Sequence, residues 1–199
     1  MVDFPVLVYL FLGSIQGNPA QSDTPTTYPP VKVMKFTKLK AYATKYPDLE
    51  VIFGHGWENE PFLPIGPGKE DLDKVIADRP TSLMSSDGHS VWVNSKAVEL
   101  AGVTRDTPNP PGGVIERDPE TGEPSGTFRE NAVDLINNVL PPFPVDMLKR
   151  GIKKYMNIAA SEGITTVHDP LLLMPDSDGT LLGYGSLRNN IQAFDQLTT

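Results

Sequence analysis

The chain has 199 residues, 39% apolar and 21% charged, enough for one full domain or one large and one partial domain. A formal net charge of −8 excludes a nucleic-acid groove binder, because phosphate contacts need a basic surface. With no cysteine there are no disulfides and no thiolate chemistry, so any metal must use Asp, Glu, modified Lys or the imidazoles of His55, His89 and His168.

In chain order, Val6 to Leu12 is a short apolar run. It reads either as a leader or as a buried strand over Phe4 to Leu12, and Asp3 stands where a leader would carry basic residues. The chain is therefore expected in the cytoplasm, with secretion as the alternative. No segment reaches the roughly 20 apolar residues of a membrane-spanning helix. Gly17 to Pro30 reads as a linker rich in Pro, Thr and Ser. Lys32 to Tyr46 has the period of an amphipathic helix, with Phe36, Leu39, Ala43 and Tyr46 on one face and Pro47 as its stop.

Leu49 to Phe53 reads as a strand leading into Gly54-His55-Gly56-Trp57-Glu58-Asn59, where two glycines allow tight backbone geometry, and Lys69 to Ala77 as a short helix. A second strand, Thr81 to Ser85, delivers Asp87-Gly88-His89 to its end. Asn94 or Ser95 is placed to cap a helix running to Ala101, with Gly102 as its stop. Gly113 to Arg117 and Pro124 to Phe128 form a hairpin around a Pro- and Gly-defined turn. A helix is expected over Thr127 to Leu140, with Phe128, Ala132, Leu135 and Val139 on one face. A longer helix runs from Pro144 to Glu162 on Leu148, Ile152, Tyr155 and Ala159. Gly163 closes it and Ile164 to His168 follows as a buried strand, the αβ half of an α/β unit. Met174 to Gly185 reads as loop, and Leu187 to Leu197 as a last helix.

Chemistry-bearing residues gather between Ser86 and Glu130. Asp87 and His89 flank Gly88, a spacing that turns both side chains toward one pocket, and His titrates near neutrality. The plain alternative is an Asx-turn with a structural histidine. Asn94 is a substrate-amide contact or a helix cap, and Trp57 an apolar pocket wall or a packing residue. Thr127-Phe128-Arg129-Glu130 reads locally as a capping box, the preferred role for Glu130. No Gly-x-Ser-x-Gly elbow, Walker loop or His-Glu-x-x-His occurs.

Three segments occur in order: Ser86-Asp87-Gly88-His89-Ser90-Val91-Trp92-Val93-Asn94-Ser95, Thr107-Pro108-Asn109-Pro110-Pro111-Gly112-Gly113 and Ser125-Gly126-Thr127-Phe128-Arg129-Glu130. Together with Gly163 to Asp169 they resemble the third subfamily of metal-dependent amidohydrolases, the N-substituted formamide deformylases among them, over about Phe36 to Pro170. The resemblance implies an α/β chain made of the family's insertion region plus partial (β/α)8-barrel elements. Its parts would be an N-terminal run and linker (1–30), the amidohydrolase-like region (31–170) and a tail (171–199).

The implied activity is metal-assisted hydrolysis of a non-peptide C–N bond in a small amide-type substrate. His168, at the end of its strand, would line the catalytic site and Asp169 would orient its ring. Asp87, His89, Trp92, Asn94 and Trp57 would contact substrate, and Glu130 would face the cavity and serve the metal. The divalent metal, zinc above others, is implied to sit on a His-x-His, two later histidines and a last Asp. The chain has no His-x-His and stops before the segments for the later ligands. The expectation is therefore an incomplete piece that does not bind the metal fully and self-associates through open strand edges. The competing expectation is a non-catalytic binding or interaction module derived from the same family.

Overall fold

The computed structural model describes residues 31–143, 145–167 and 187–198. The apolar run near the N-terminus, the linker after it, the pair His168 and Asp169, and the stretch from Met174 to Gly185 lie outside the described residues.

The centre is a five-stranded sheet of order β1-β2-β3-β5-β4. Its strands are β1 (Ile52–Trp57), β2 (Thr81–Ser85), β3 (Ser90–Val93), β4 (Gly113–Arg117) and β5 (Pro124–Glu130). β1 and β2 pair in parallel, and the other neighbours are antiparallel. A parallel pair needs a crossover. Here that crossover includes α2 (Lys69–Asp73), whose Leu72 is fully buried.

β3 lies in the middle of the sheet and all four of its residues are buried. Period-2 alternation sends Val91 and Val93 to one face, against Ile115, Phe128 and the helices α3 (Ser95–Ala101) and α4 (Val133–Asn137). Trp92 goes to the other face, with Trp57 and Leu72 and the partly buried Phe36 and Phe62. Helix α1 (Val31–Lys45) covers part of that side, burying Ala43 against Ile52 and Ile76. α5 (Val145–Ser161) and α6 (Leu187–Thr198) pair beside β1, where Phe143 meets Phe53 edge-on at 4.9 Å.

Several expectations hold as stated. β2 has the expected bounds, β4 and β5 form the hairpin, and Asn94 caps α3 with Gly102 in the left-handed region at φ 64°. Gly126 in the third motif is required by close approach. At φ 107°, an added Cβ would lie 2.6 Å from Lys69 Cβ and 2.8 Å from the Val93 carbonyl.

Three expectations are overturned. The helix over Thr127 to Leu140 is instead strand through Glu130 and helix only over Val133–Asn137. Phe128 packs across from Ile115 and Val91 in the sheet, and that tertiary burial overrides its helical spacing. The first strand is not Leu49 to Phe53 but Ile52–Trp57, so Gly54-His55-Gly56-Trp57 forms the body of β1, paired along β2. Residues 164–167 form no strand; they are exposed, Ile164 at 40% and Val167 at 49%. A buried parallel strand needs neighbours on its edges, and no described strand pairs with this one.

Candidate functional site

The sheet brings one set of polar residues to a single rim. β1 and β2 run in parallel and end there, β3 starts there, and β5 ends there beside the start of β4. The rim therefore collects His55 near the end of β1, Glu58 and Asn59 just after it, Asp87 and His89 in the β2–β3 turn, and Arg129 and Glu130 at the end of β5.

Asp87 organises the turn. Its Oδ1 accepts from Ser85 Oγ at 2.5 Å and from the His89 amide at 3.0 Å, an Asx-turn pattern, and its Oδ2 accepts from Asn59 Nδ2 at 3.0 Å. Burial pushes the Asp87 carboxyl up, but these donors and the nearby His89 outweigh it and hold it below its ordinary value.

His89 meets Glu130, Nδ1 to Oε2, at 3.1 Å. A carboxylate only accepts, so Nδ1 carries the hydrogen and Nε2 is left for another partner. The hydrogen bond to Glu130, then its charge, raises the His89 pKa. His55 behaves oppositely: burial lowers its pKa, and Asp87 and Glu58 offset this only in part.

Glu130 is not a capping residue. It sits at φ 50°, and its amide donates to the His89 carbonyl at 2.8 Å. The proposed cap partner, Thr127, is buried in β5 and donates to the Pro67 carbonyl at 2.9 Å. A strand residue has extended geometry, and the box requires a helix start.

Three of the five substrate-contact candidates lie inside. Trp57 and Trp92 are each 3% exposed and stack edge-on at 6.3 Å, donating their indole N–H groups to the carbonyls of Leu83 and Gly68. They build the core of that face instead of walling an open pocket. Asn94 is fully buried and fully engaged: Oδ1 accepts from Ala97 and Thr81, and Nδ2 donates to the carbonyls of Ile76 and Arg79. Asp87 and His89 are the candidates left on the surface. Sequence reasoning overlooked Asn59 and Arg129. Arg129 directly precedes Glu130 and Asn59 follows Trp57 by two positions, so the signal is a polar side chain close to a residue already singled out.

Residues 26–186 match the model of the amidohydrolase family. The chain belongs to the amidohydrolase family. Among relatives of this amidohydrolase chain, YtcJ of Bacillus subtilis (strain 168) is 36% identical over 123 residues, covering 61% of this chain and 23% of that protein. Protein LONG AFTER FAR-RED 3 of Arabidopsis thaliana is 33% identical over 118 residues, 59% of this chain and 20% of its own length. The N-substituted formamide deformylase of Arthrobacter pascens is 39% identical over 72 residues, 36% of this chain and 13% of its length. The chain thus spans less than a quarter of each of these three relatives. In fold it is similar to an uncharacterized metal-dependent hydrolase of Pyrococcus horikoshii OT3, with a TM-score of 0.50 at 18% identity, over 83% of this chain and 28% of that one.

The described residues do not fit a divalent metal. His89 and Glu130 meet as a pair, while Asp87 is turned into Ser85 and Asn59. Zinc sites take at least three protein ligands, and no cluster of three or more His, Cys, Asp or Glu side chains suited to a metal gathers among the described residues. No helix among them is long and apolar enough to cross a membrane.

Proposed function

We propose that this chain supplies the substrate-facing rim of an amidohydrolase that hydrolyses a non-peptide C–N bond in a small amide-type molecule. The observation that carries this reading is the His89–Glu130 contact at the exposed rim, which joins the first and third of the motif segments that resemble the family. With its pKa raised by Glu130, protonated His89 donates from Nε2 to the carbonyl oxygen of the amide, while Asp87 fixes the turn that presents it. The proposal keeps His168 near the scissile bond, oriented by Asp169. Supporting this broader reading, the name of the Arthrobacter pascens relative states deformylation of an N-substituted formamide, a C–N bond of this class. A divalent metal, zinc first, belongs to the parent reaction.

The proposal includes self-association. β1 and β4 are the outer strands of the described sheet, and strand edges of this kind favour pairing between copies.

Backbone amide NMR of the chain titrated with an N-substituted formamide tests the rim. The expected result is shifts at Ser86, Asp87, His89 and Glu130 that Glu130→Gln weakens. Shifts confined elsewhere, such as the groove beside α1 lined by Phe36, Lys40 and Val75, would overturn it.

A further inference from the structure

The contacts at the rim close on themselves. Arg129 Nη1 donates to Asn59 Oδ1 at 2.8 Å, and Asn59 Nδ2 donates to Asp87 Oδ2 at 3.0 Å. Asp87 Oδ1 takes the His89 amide, and the His89 ring takes the Glu130 carboxylate. Glu130 is the next residue after Arg129, and its own amide returns to the His89 carbonyl. Arg129 is itself held on two further sides. Its Nε donates to Glu116 Oε1 of β4 at 2.5 Å, and Nη1 reaches Ser90 Oγ of β3 at 3.3 Å.

The ring adds side-chain ties to what the sheet already sets side by side. The segment after β1, the β2–β3 turn and the end of β5 lie along the successive neighbours β1-β2-β3-β5, and the side chains of Asn59, Asp87 and Arg129 link them beyond the strand pairing. The Glu130 backbone is left-handed, a conformation unfavourable for a non-glycine residue that persists when its surroundings hold it. His89 and Glu130 are mostly exposed, at 65% and 55%, so their mutual contact is too solvent-screened to supply that hold. Arg129, at 20% exposed and tied to three partners, is the fixed point of the ring.

We infer that Asn59 and Arg129 are positioning residues for the His89–Glu130 pair, acting through Asp87 to keep His89 Nδ1 on the Glu130 carboxylate and so leave Nε2 for the substrate. The use of Nε2 rests on the proposed function above; the positioning itself does not. Lysine cannot replace Arg129 in this role, because one ammonium group cannot reach Glu116, Asn59 and Ser90 in the fork geometry of a guanidinium. The charged and titratable groups around His89 are Glu130 and Asp87 in contact, Arg129 and Glu116 behind them on β5 and β4, and His55 and Glu58 across Asp87 on the β1 side.

The test is an NMR pH titration of the His89 ring in the full 199-residue chain, with Glu130→Gln as the reference for complete loss of the contact. Asn59→Ala and Arg129→Lys are each expected to lower the His89 pKa by the larger part of the fall seen in Glu130→Gln. Glu58→Gln, which removes a rim charge bonded to Ser86 and outside the ring, is expected to leave His89 nearly unmoved. Asn59 is only partly buried, so Asn59→Ala keeps the test decisive where Arg129→Lys disturbs folding. A His89 pKa unchanged in folded Asn59→Ala would overturn the inference, as would a fall as large in Glu58→Gln. If the positioning result holds while N-substituted formamides leave the rim unperturbed, the inference stands and the proposed function fails.

Discussion

Asn94 shows how much one polar side chain decides in this chain. Its amide makes four hydrogen bonds inside the protein, to α3, to the start of β2 and to two carbonyls of the α2–β2 connection. Truncation removes a cap and strands buried groups on both sides. Asn94→Ala is expected to cost on the order of 3 kcal/mol in urea unfolding. Asn94→Asp is expected to cost at least as much, because an oxygen would then face the carbonyls of Ile76 and Arg79. His89 gives the pH signature. Its folded pKa is raised above the unfolded value, so its contribution to stability is fully present below about 6.5 and is lost as pH rises through the folded value. Glu130→Gln is expected to flatten this part of the pH–stability profile, read by thermal melts across the neutral range.

The elements divide into those that sequence patterning reveals and those that only the sheet explains. α1, β2, α3, the β4–β5 hairpin, α5 and α6 were legible because each carries its own period, cap or turn. β3 was not, since Ser90-Val91-Trp92-Val93 is buried on both faces and shows no alternation against solvent. The end of β5 was misread because Phe128, Ala132 and Leu135 mimic a helical stripe, while Phe128 in fact pairs across the sheet. The site was legible to the same degree. Asp87 and His89 stood out by residue type, but the contact of His89 with Glu130 spans 41 positions and appears only once β3 and β5 pair. Arg79 is another contact invisible in sequence. Its guanidinium donates to the carbonyls of Tyr46, Pro47 and Leu49, tying the exit of α1 to the start of β2. Arg79→Ala is expected to destabilise the fold by about 2 kcal/mol, the size of a charge-assisted hydrogen-bond cluster lost in part to solvent. Chemical unfolding checks it.

For the whole molecule, the family is established by a match over residues 26–186, while the three relatives described above extend well beyond the part this chain covers. We propose a division of labour in which this chain supplies a substrate-facing rim; no cluster of three or more metal-ligating side chains gathers among its described residues. The copy-to-copy contact proposed for the outer strand edges belongs to the same picture, and light scattering is expected to show a mass above the monomer that falls with dilution. The most direct measurement is metal content of the pure 199-residue chain taken together with hydrolysis of N-substituted formamides, with and without a chelator. The account predicts metal well below one equivalent and no chelator-sensitive hydrolysis. Stoichiometric zinc, iron or manganese, with amide hydrolysis that the chelator removes, would contradict it.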